Sequence, residues 1–288
     1  YYIESNGEVA IIDPLREVKP YIEKAAKNNA KIKYIFETHF HADFVSGHVT
    51  LAEKTGAPIV FGPNANPSFK AHIATDGEVF TLGNITITVL HTPGHTMESS
   101  CYLLKDKNGK DYALFSGDTL FLGDVGRPDL AQISGKITQE DLAGMLFDSL
   151  RNKVMTLADD VIVYPAHGAG SACGKNLSKE TVGSIGDQKA TNYALRADMT
   201  KQEFINEVTD GLLPPPAYFP KNVQLNKEGY DNVENIIRDA VAYDAKTFEI
   251  IANETEALIL DVRREEDFAK GHIPKSIFIG VHGAFAPW

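Results

Sequence analysis

The side chains of His39, His41 and Asp43 recur at every second residue of the segment THFHADF, residues 38–44. The segment follows the apolar run 34–36, which is typical of a buried strand. In an extended backbone, alternate side chains point to the same side, so these imidazoles and the carboxylate can converge. Imidazole nitrogens and carboxylate oxygens are common ligands of transition metals. The spacing therefore predicts one edge of a metal site.

Three further polar clusters also follow apolar strands. HTPGHT (91–96) follows ITITV, SGDT (116–119) follows YALF, and PAHGAG (165–170) follows VIVY. Loops at strand ends commonly carry binding and catalytic groups, so the four clusters can meet at one cation. The side chains that we expect there are His39, His41, Asp43, His95, Asp118 and His167.

The residue types alone leave the identity of the metal open. Two imidazoles and one carboxylate with an open coordination face suit non-haem Fe(II) and its oxygen chemistry. Three protein ligands around zinc, with water in the fourth position, suit hydrolysis. Both alternatives are compatible with the four clusters.

Short apolar strands must position these clusters, with amphipathic helices between or after them. The mixture predicts an α/β (α+β) fold in which helices cover a sandwich of sheets. The predicted strands are 9–13, 33–37, 57–61, 85–91, 99–104, 112–116 and 161–165, and the predicted helices are 18–28, 45–55, 139–151 and 180–195.

The segment LLPPPAYFP, residues 212–220, divides the chain. Consecutive prolines prevent a helix from continuing, so we predict an extended linker or a surface strap there and a domain boundary soon after it. The predicted domains are 1–225 and 226–288. The second would contain a polar helix, 228–243, and the strand-turn-helix sequence LILDVRREEDFAKGHIP, 258–274.

Composition narrows the classes of partner. The chain of 288 residues has a net charge of -11 and no long basic run, which argues against nucleic-acid binding. No apolar run reaches the roughly 18 residues of a membrane span, so we expect no membrane association. Because Cys101 and Cys173 are the only cysteines, a disulfide framework is excluded and a cytoplasmic location is expected.

The four clusters resemble those of the metallo-β-lactamase superfamily over about residues 1–225, which implies its αββα sandwich. Two-metal hydrolases of this superfamily carry the pattern HxHxDH, in which the Asp-His pair binds the second metal. Phe44 stands at the place of that second imidazole. A phenyl ring offers no lone pair to a cation, so this difference favours a single metal.

More narrowly, the chain resembles the persulfide dioxygenases, an iron branch of the superfamily, and their bacterial fusions with rhodanese modules. The resemblance implies one Fe(2+) per chain, with zinc as a substitute, bound by the side chains of His39, His95 and Asp118. It implies that His41, Asp43 and His167 orient the ligands through hydrogen bonds; purely structural support is the alternative for these three.

Two more segments carry catalytic candidates. GRPD, residues 126–129, resembles a loop of the same branch, in which Arg127 would pair with Asp129 and shape the pocket; a surface salt bridge is the alternative. Cys173 lies in the glycine-rich loop HGAGSACGK, which we expect to be accessible and flexible. A substrate-contacting or sulfur-carrying role is predicted for Cys173, with Lys175 lowering the pKa of its thiol or attracting an anion. A small buried apolar side chain is the alternative for Cys173.

The resemblance implies oxidation of a low-molecular-weight thiol persulfide by O2 to sulfite and free thiol, with a homo-oligomer as the expected assembly. Residues 258–274 resemble the start of a rhodanese-like domain in the same natural chain. Because no cysteine follows Cys173, sulfur transfer is not expected at this segment. The alternative functions are a zinc thioester hydrolase like glyoxalase II and a persulfide-binding sulfur-relay module.

Overall fold

Two β-sheets form the centre of the first 230 residues. In the computed structural model, the first sheet has the strand order β1-β2-β3-β4-β5. β1 and β2 are antiparallel, and the other neighbours pair in parallel. The strands are β1 (Tyr2–Ser5), β2 (Glu8–Ile12), β3 (Lys31–Glu37), β4 (Ile59–Phe61) and β5 (His72–Ile73).

The second sheet has the order β11-β10-β9-β8-β7-β6. β9 and β10 pair in parallel, and the remaining neighbours pair antiparallel. The strands are β6 (Val79–Leu82), β7 (Ile85–His91), β8 (Ser100–Lys105), β9 (Asp111–Gly117), β10 (Ile162–Pro165) and β11 (Gly183–Ser184).

Both faces of each sheet are buried, so alternate residues of one strand belong to different cores. Ala10 and Ile12 of β2 pack in the core shared with Tyr102 of β8, between the sheets. Val9 and Ile11 pack with helix residues on the opposite face. The alternation follows from the two-residue period of a strand. Helices therefore cover each sheet, and the predicted α/β (α+β) class is confirmed.

Helices α1 (Lys19–Lys27) and α2 (His48–Thr55) contribute to the core on the first sheet. Helices α3 (Gln139–Ser149), α4 (Ile185–Thr191) and α5 (Lys201–Thr209) contribute to the core on the second. A π-helical turn, Leu150–Val154, extends α3, and a 3-10 turn, Tyr193–Leu195, follows α4. The predicted helix 180–195 is shorter than expected because Ser184 pairs in the sheet and then caps α4.

A helix begins three residues after the triple proline, 214–216, so the extended segment there is short. Helix α6 (Phe219–Glu228) begins with Pro220 in its first turn, where the missing proline N–H costs no helical hydrogen bond. It ends at Gly229. The predicted helix 228–243 is likewise reduced to α7 (Val233–Asp239), which Asn232 caps.

The structure describes residues 1–175 and 177–282, and the chain divides into two compact units, Tyr1–Tyr230 and Asp231–Trp288. The second unit contains α7, α8 (Ala245–Thr255), β12 (Leu260–Asp261), α9 (Glu265–Lys270) and β13 (Ile277–Phe278). β12 and β13 pair in parallel. The end of the predicted second domain, 283–288, lies outside the described residues. None of the described helices combines the length and apolar character needed to cross a membrane.

Candidate metal centre

Three loops, each following a different strand, bring His39, His95 and Asp118 together. Nε2 of His95 lies 3.4 Å from Oδ2 of Asp118, and Nε2 of His39 lies 3.9 Å from the same oxygen. All three side chains are buried. Their potential ligand atoms lie within 4.8 Å of one another. This is the ligand set that the resemblance implied.

Hydrogen bonds orient both imidazoles toward Asp118. Nδ1 of His95 lies 2.8 Å from the carbonyl oxygen of Arg127, so this nitrogen is the donor. Nδ1 of His39 lies 3.0 Å from the hydroxyl of Thr38, which itself donates to Asp13 and therefore accepts from the ring. With hydrogen on Nδ1, each ring presents the lone pair of Nε2, as metal-binding histidines require.

The carboxylate of Asp118 is suited to a cation. Both of its oxygens are buried and have no hydrogen-bond partner among the described residues. A buried carboxylate without compensation is costly, so a positive ion at this point would stabilise the fold. Burial and the neighbouring imidazoles hold the pKa of His39 well below its usual value, which keeps that ring neutral and able to coordinate. The residues present therefore fit a divalent metal.

Asp43, His167 and Cys173 form a second group of potential ligands beside the first. Nε2 of His167 lies 3.4 Å from Oδ1 of Asp118 and 3.5 Å from Oδ2 of Asp43. Asp118 thus faces both groups. The structure therefore brings Asp43 and His167 beside the first group, and their role in orienting the ligands stays a prediction.

His41 faces a different set of groups. Its Nε2 lies 3.1 Å from Oδ1 of Asp13 and 3.7 Å from Oε2 of Glu37. Burial lowers the pKa of His41, but the charges of Asp13, Glu37 and Asp43 outweigh it and raise that pKa to about 10. Sequence reasoning missed Asp13 and Glu37, although each is an acidic residue at the end of a predicted apolar strand.

The first part of the chain matches a known protein family. Residues 1–167 match the profile of the Metallo-beta-lactamase superfamily, which is more than half of the chain. The chain belongs to the metallo-beta-lactamase superfamily. Residues 244–287 match the Rhodanese-like domain, so a rhodanese-like domain follows the metallo-beta-lactamase domain in this chain.

Two solved structures and one curated relative illustrate the similarity. A metallo-beta-lactamase from Staphylococcus aureus subsp. aureus COL is 32% identical with a TM-score of 0.81, covering 97% of this chain and 79% of that one. ETHE1 from Myxococcus xanthus is 29% identical with a TM-score of 0.65, covering 79% and 92%. A probable hydroxyacylglutathione hydrolase from Schizosaccharomyces pombe is 34% identical over 161 residues, covering 55% and 58%. The chain thus spans less than two thirds of that relative.

Arg127 supports the metallo-beta-lactamase site from behind His95. Its guanidinium makes two hydrogen bonds to Asp129, of 2.7 and 2.8 Å, and others to the carbonyl oxygens of Ala172 and Leu213. The predicted pairing is confirmed, and the alternative of a surface salt bridge is wrong because Arg127 is only 6% exposed. Its own carbonyl orients His95.

The expectation of an accessible Cys173 is wrong. Its side chain is 1% exposed and packs with Ala42, Phe121 and Phe219. Burial, together with the charges of nearby carboxylates, raises the pKa of the thiol. Lys175 does not counter this effect, because its ammonium donates to the carbonyl of Glu207 at 2.7 Å. The apolar packing around Cys173 involves segments far away in sequence and could not be read from its glycine-rich neighbours.

Helix α6 fixes the loop that carries His41. Asn226, which is buried, donates to the carbonyl oxygens of His41 and Phe44 at 2.8 Å each and accepts from the N–H of Ser46 at 2.8 Å. Asn222 donates to the carbonyl of Ala42 at 2.9 Å. The two asparagines are four residues apart and share one helix face. Sequence analysis singled out neither residue.

Proposed function

We propose that this chain is a non-haem Fe(II) persulfide dioxygenase. The reaction would convert one thiol persulfide, one O2 and one water to sulfite, free thiol and two protons. The observation that carries the proposal is the buried group of His39, His95 and Asp118, with two imidazoles and a carboxylate facing one point. Such a ligand set suits Fe(II) in oxygenases. The similarity to ETHE1 from Myxococcus xanthus supports the same branch.

The residues of the chain have separate tasks in this reaction. His39 and His95 would hold the metal through Nε2, and Asp118 would add a negative charge that a divalent ion needs. Bound Fe(II) would supply open coordination positions for the persulfide sulfur and O2. His41 is engaged by Asp13 and lies outside the ligand set, so it would support the loop. Burial of the ligands limits access of bulk water.

Anaerobic reconstitution tests the proposal. Protein loaded with iron should consume O2 on addition of glutathione persulfide and release one sulfite for each O2, over many turnovers. Protein loaded with zinc is the control and should show neither reaction. No O2 uptake by fully iron-loaded protein would contradict the proposal.

A zinc thioester hydrolase is the alternative function. The group of Asp43, His167 and Cys173 favours it, because these side chains could hold a second ion beside Asp118. The similarity to the probable hydroxyacylglutathione hydrolase from Schizosaccharomyces pombe supports it as well. Two zinc ions per chain, together with turnover of acyl-glutathione, would favour this alternative over the dioxygenase.

The rhodanese-like domain supports a third function, that of a sulfur-relay module that binds persulfide without oxidising it catalytically. The number of turnovers separates the relay from the dioxygenase. A relay would yield at most one sulfite per chain, whereas the dioxygenase would continue until one substrate is exhausted.

A further inference from the structure

A groove of about 320 Å³ borders the metal ligand His95. Phe40, Thr96 and Glu98 are buried residues of its lining, whereas Lys227 of helix α6 is exposed. The apolar lining consists of Ala42, Met97, Leu130, Ala131, Ile133 and Val223. The exposed side-chain amides of Asn64 and Asn66 complete the groove.

The charges of the groove differ between its buried and its exposed parts. The carboxylate of Glu98 accepts a hydrogen bond of 3.0 Å from the N–H of Phe40 and is 9% exposed. The ammonium of Lys227 has neither an ion pair nor a hydrogen bond within the described ranges. An anionic group would be repelled near Glu98 and attracted to Lys227.

Two other cationic side chains near the metal centre, those of Arg127 and Lys175, are engaged elsewhere. The guanidinium of Arg127 is paired with Asp129, and the ammonium of Lys175 donates to the carbonyl of Glu207. Lys227 is therefore the better candidate for binding an anionic group of the substrate. Its position is also fixed, because the adjacent residue Asn226 is hydrogen-bonded to the loop that follows His39.

We propose that this groove binds the thiol carrier of the persulfide, and that Lys227 recognises a carboxylate or phosphate on that carrier. The reacting sulfur would lie at the His95 end, and the apolar lining would contact the carbon chain between sulfur and anion. The inference deepens the proposed function and rests on it. It assigns to Lys227 the selection of carriers that have an anionic group.

Charge reversal at Lys227 tests the assignment. Steady-state O2 uptake is measured with the persulfides of glutathione (a carboxylate carrier), coenzyme A (a phosphate carrier) and 2-mercaptoethanol (a neutral carrier). Lys227→Glu should raise KM about tenfold for the carrier class that binds there, with kcat within twofold and the neutral persulfide unaffected. The effect should weaken with added salt. Lys221→Glu makes the same charge change on α6 outside the groove and should leave every KM unchanged.

Binding of the free thiols separates this inference from the proposed function, since binding requires no turnover. Calorimetry on the zinc-loaded protein should show that Lys227→Glu weakens binding of glutathione or coenzyme A about tenfold, whereas Lys221→Glu does not. If that loss occurs and the iron-loaded protein oxidises no persulfide, the dioxygenase is wrong and the groove stands. Equal KM changes for anionic and neutral persulfides, equal effects of both lysine variants, or no binding of either thiol to the unchanged protein would overturn the groove assignment.

Discussion

Asp118 has two buried oxygens between the imidazoles of His39, His95 and His167, and neither oxygen has a hydrogen-bond partner in the described part of the chain. A bound cation would compensate the buried negative charge of Asp118. Without metal, that charge stays uncompensated. The same residue is therefore expected to favour metal binding and to destabilise the protein without metal.

Replacing Asp118 by Asn separates these two effects. Asp118→Asn removes the buried charge while keeping the size of the side chain, so metal content and turnover should fall at least about a hundredfold. The metal-free variant should be more stable than metal-free wild type by about 1 kcal/mol, because an amide can donate to the histidine nitrogens. Metal analysis and urea unfolding measure both quantities. Asp76→Asn, at an exposed pair with Lys153, is the control and should change neither by much.

Burial of Cys173 leads to a second prediction at this scale. In the native protein, with Cys101→Ser as background, a thiol reagent should label Cys173 only slowly, because the side chain is 1% exposed. Unfolding in denaturant should release one rapidly reacting thiol. Rapid labelling of the native protein would contradict the observed packing. A role of Cys173 in contacting substrate stays a prediction, and full turnover of Cys173→Ser on every persulfide tested would exclude it.

At the scale of elements, helix α6 holds the metal-site loop through Asn226. Asn226→Ala removes three hydrogen bonds of 2.8 Å and leaves buried backbone groups unpaired. The free energy of unfolding should fall by about 2–4 kcal/mol, and metal affinity should weaken because the loop carrying His39 is less constrained. Denaturant titration and metal competition measure the two effects. Gln224→Ala alters an exposed position of the same helix, and an equal loss there would contradict the role of Asn226.

Gly126 permits the close approach of two loops at the metal centre. A Cβ at this position would lie 1.9 Å from the carbonyl oxygen of Asp118 and 3.1 Å from Nδ1 of His95. Because the first contact is backbone, Gly126→Ala should displace Asp118 and lower turnover at least about tenfold. Gly168→Ala, where a Cβ meets nothing within 4 Å, is the matched control in a neighbouring loop. Unchanged metal content and turnover in Gly126→Ala would contradict this account.

At the scale of the whole molecule, the metal centre joins the two sheets. His39 follows β3 of the five-stranded sheet, whereas His95 and Asp118 follow β7 and β9 of the six-stranded sheet. A metal bound by all three would therefore link both layers of the sandwich. Binding to the folded state stabilises it according to the concentration of free metal relative to its Kd.

Chelation should lower the thermal stability of the first unit. Metal at one hundred times its Kd adds about 2.7 kcal/mol to the free energy of unfolding. For a unit of this size, removal of the metal should lower Tm by about 5–10 °C. Calorimetry with and without a chelator measures the shift. Asp118→Asn is the control and should not respond, so an equal response of that variant would show that the chelator acts elsewhere.

The sequence alone determined β2, β3, β4, β7, β8, β9 and β10, the sheet-and-helix class and the loops that carry His39, His95 and Asp118; it did not predict β1, β5, β6 or β11. These features follow from local patterns: alternation of apolar residues sets a strand, and polar residues directly after it must lie at the strand end. Confirmation of the αββα architecture came from the buried cores on both faces of each sheet.

The tertiary structure alone decided which neighbours each polar side chain has. His41 has the same local spacing as His39, yet it faces Asp13, which directly follows strand β2. Asn226 binds a carbonyl 185 residues earlier in the chain, and Cys173 is buried by segments distant in sequence. Local periodicity encodes the direction of a side chain relative to its own backbone. Its burial, charge state and ligand role depend on which remote segments pack against it, and packing fixes those only in the folded chain.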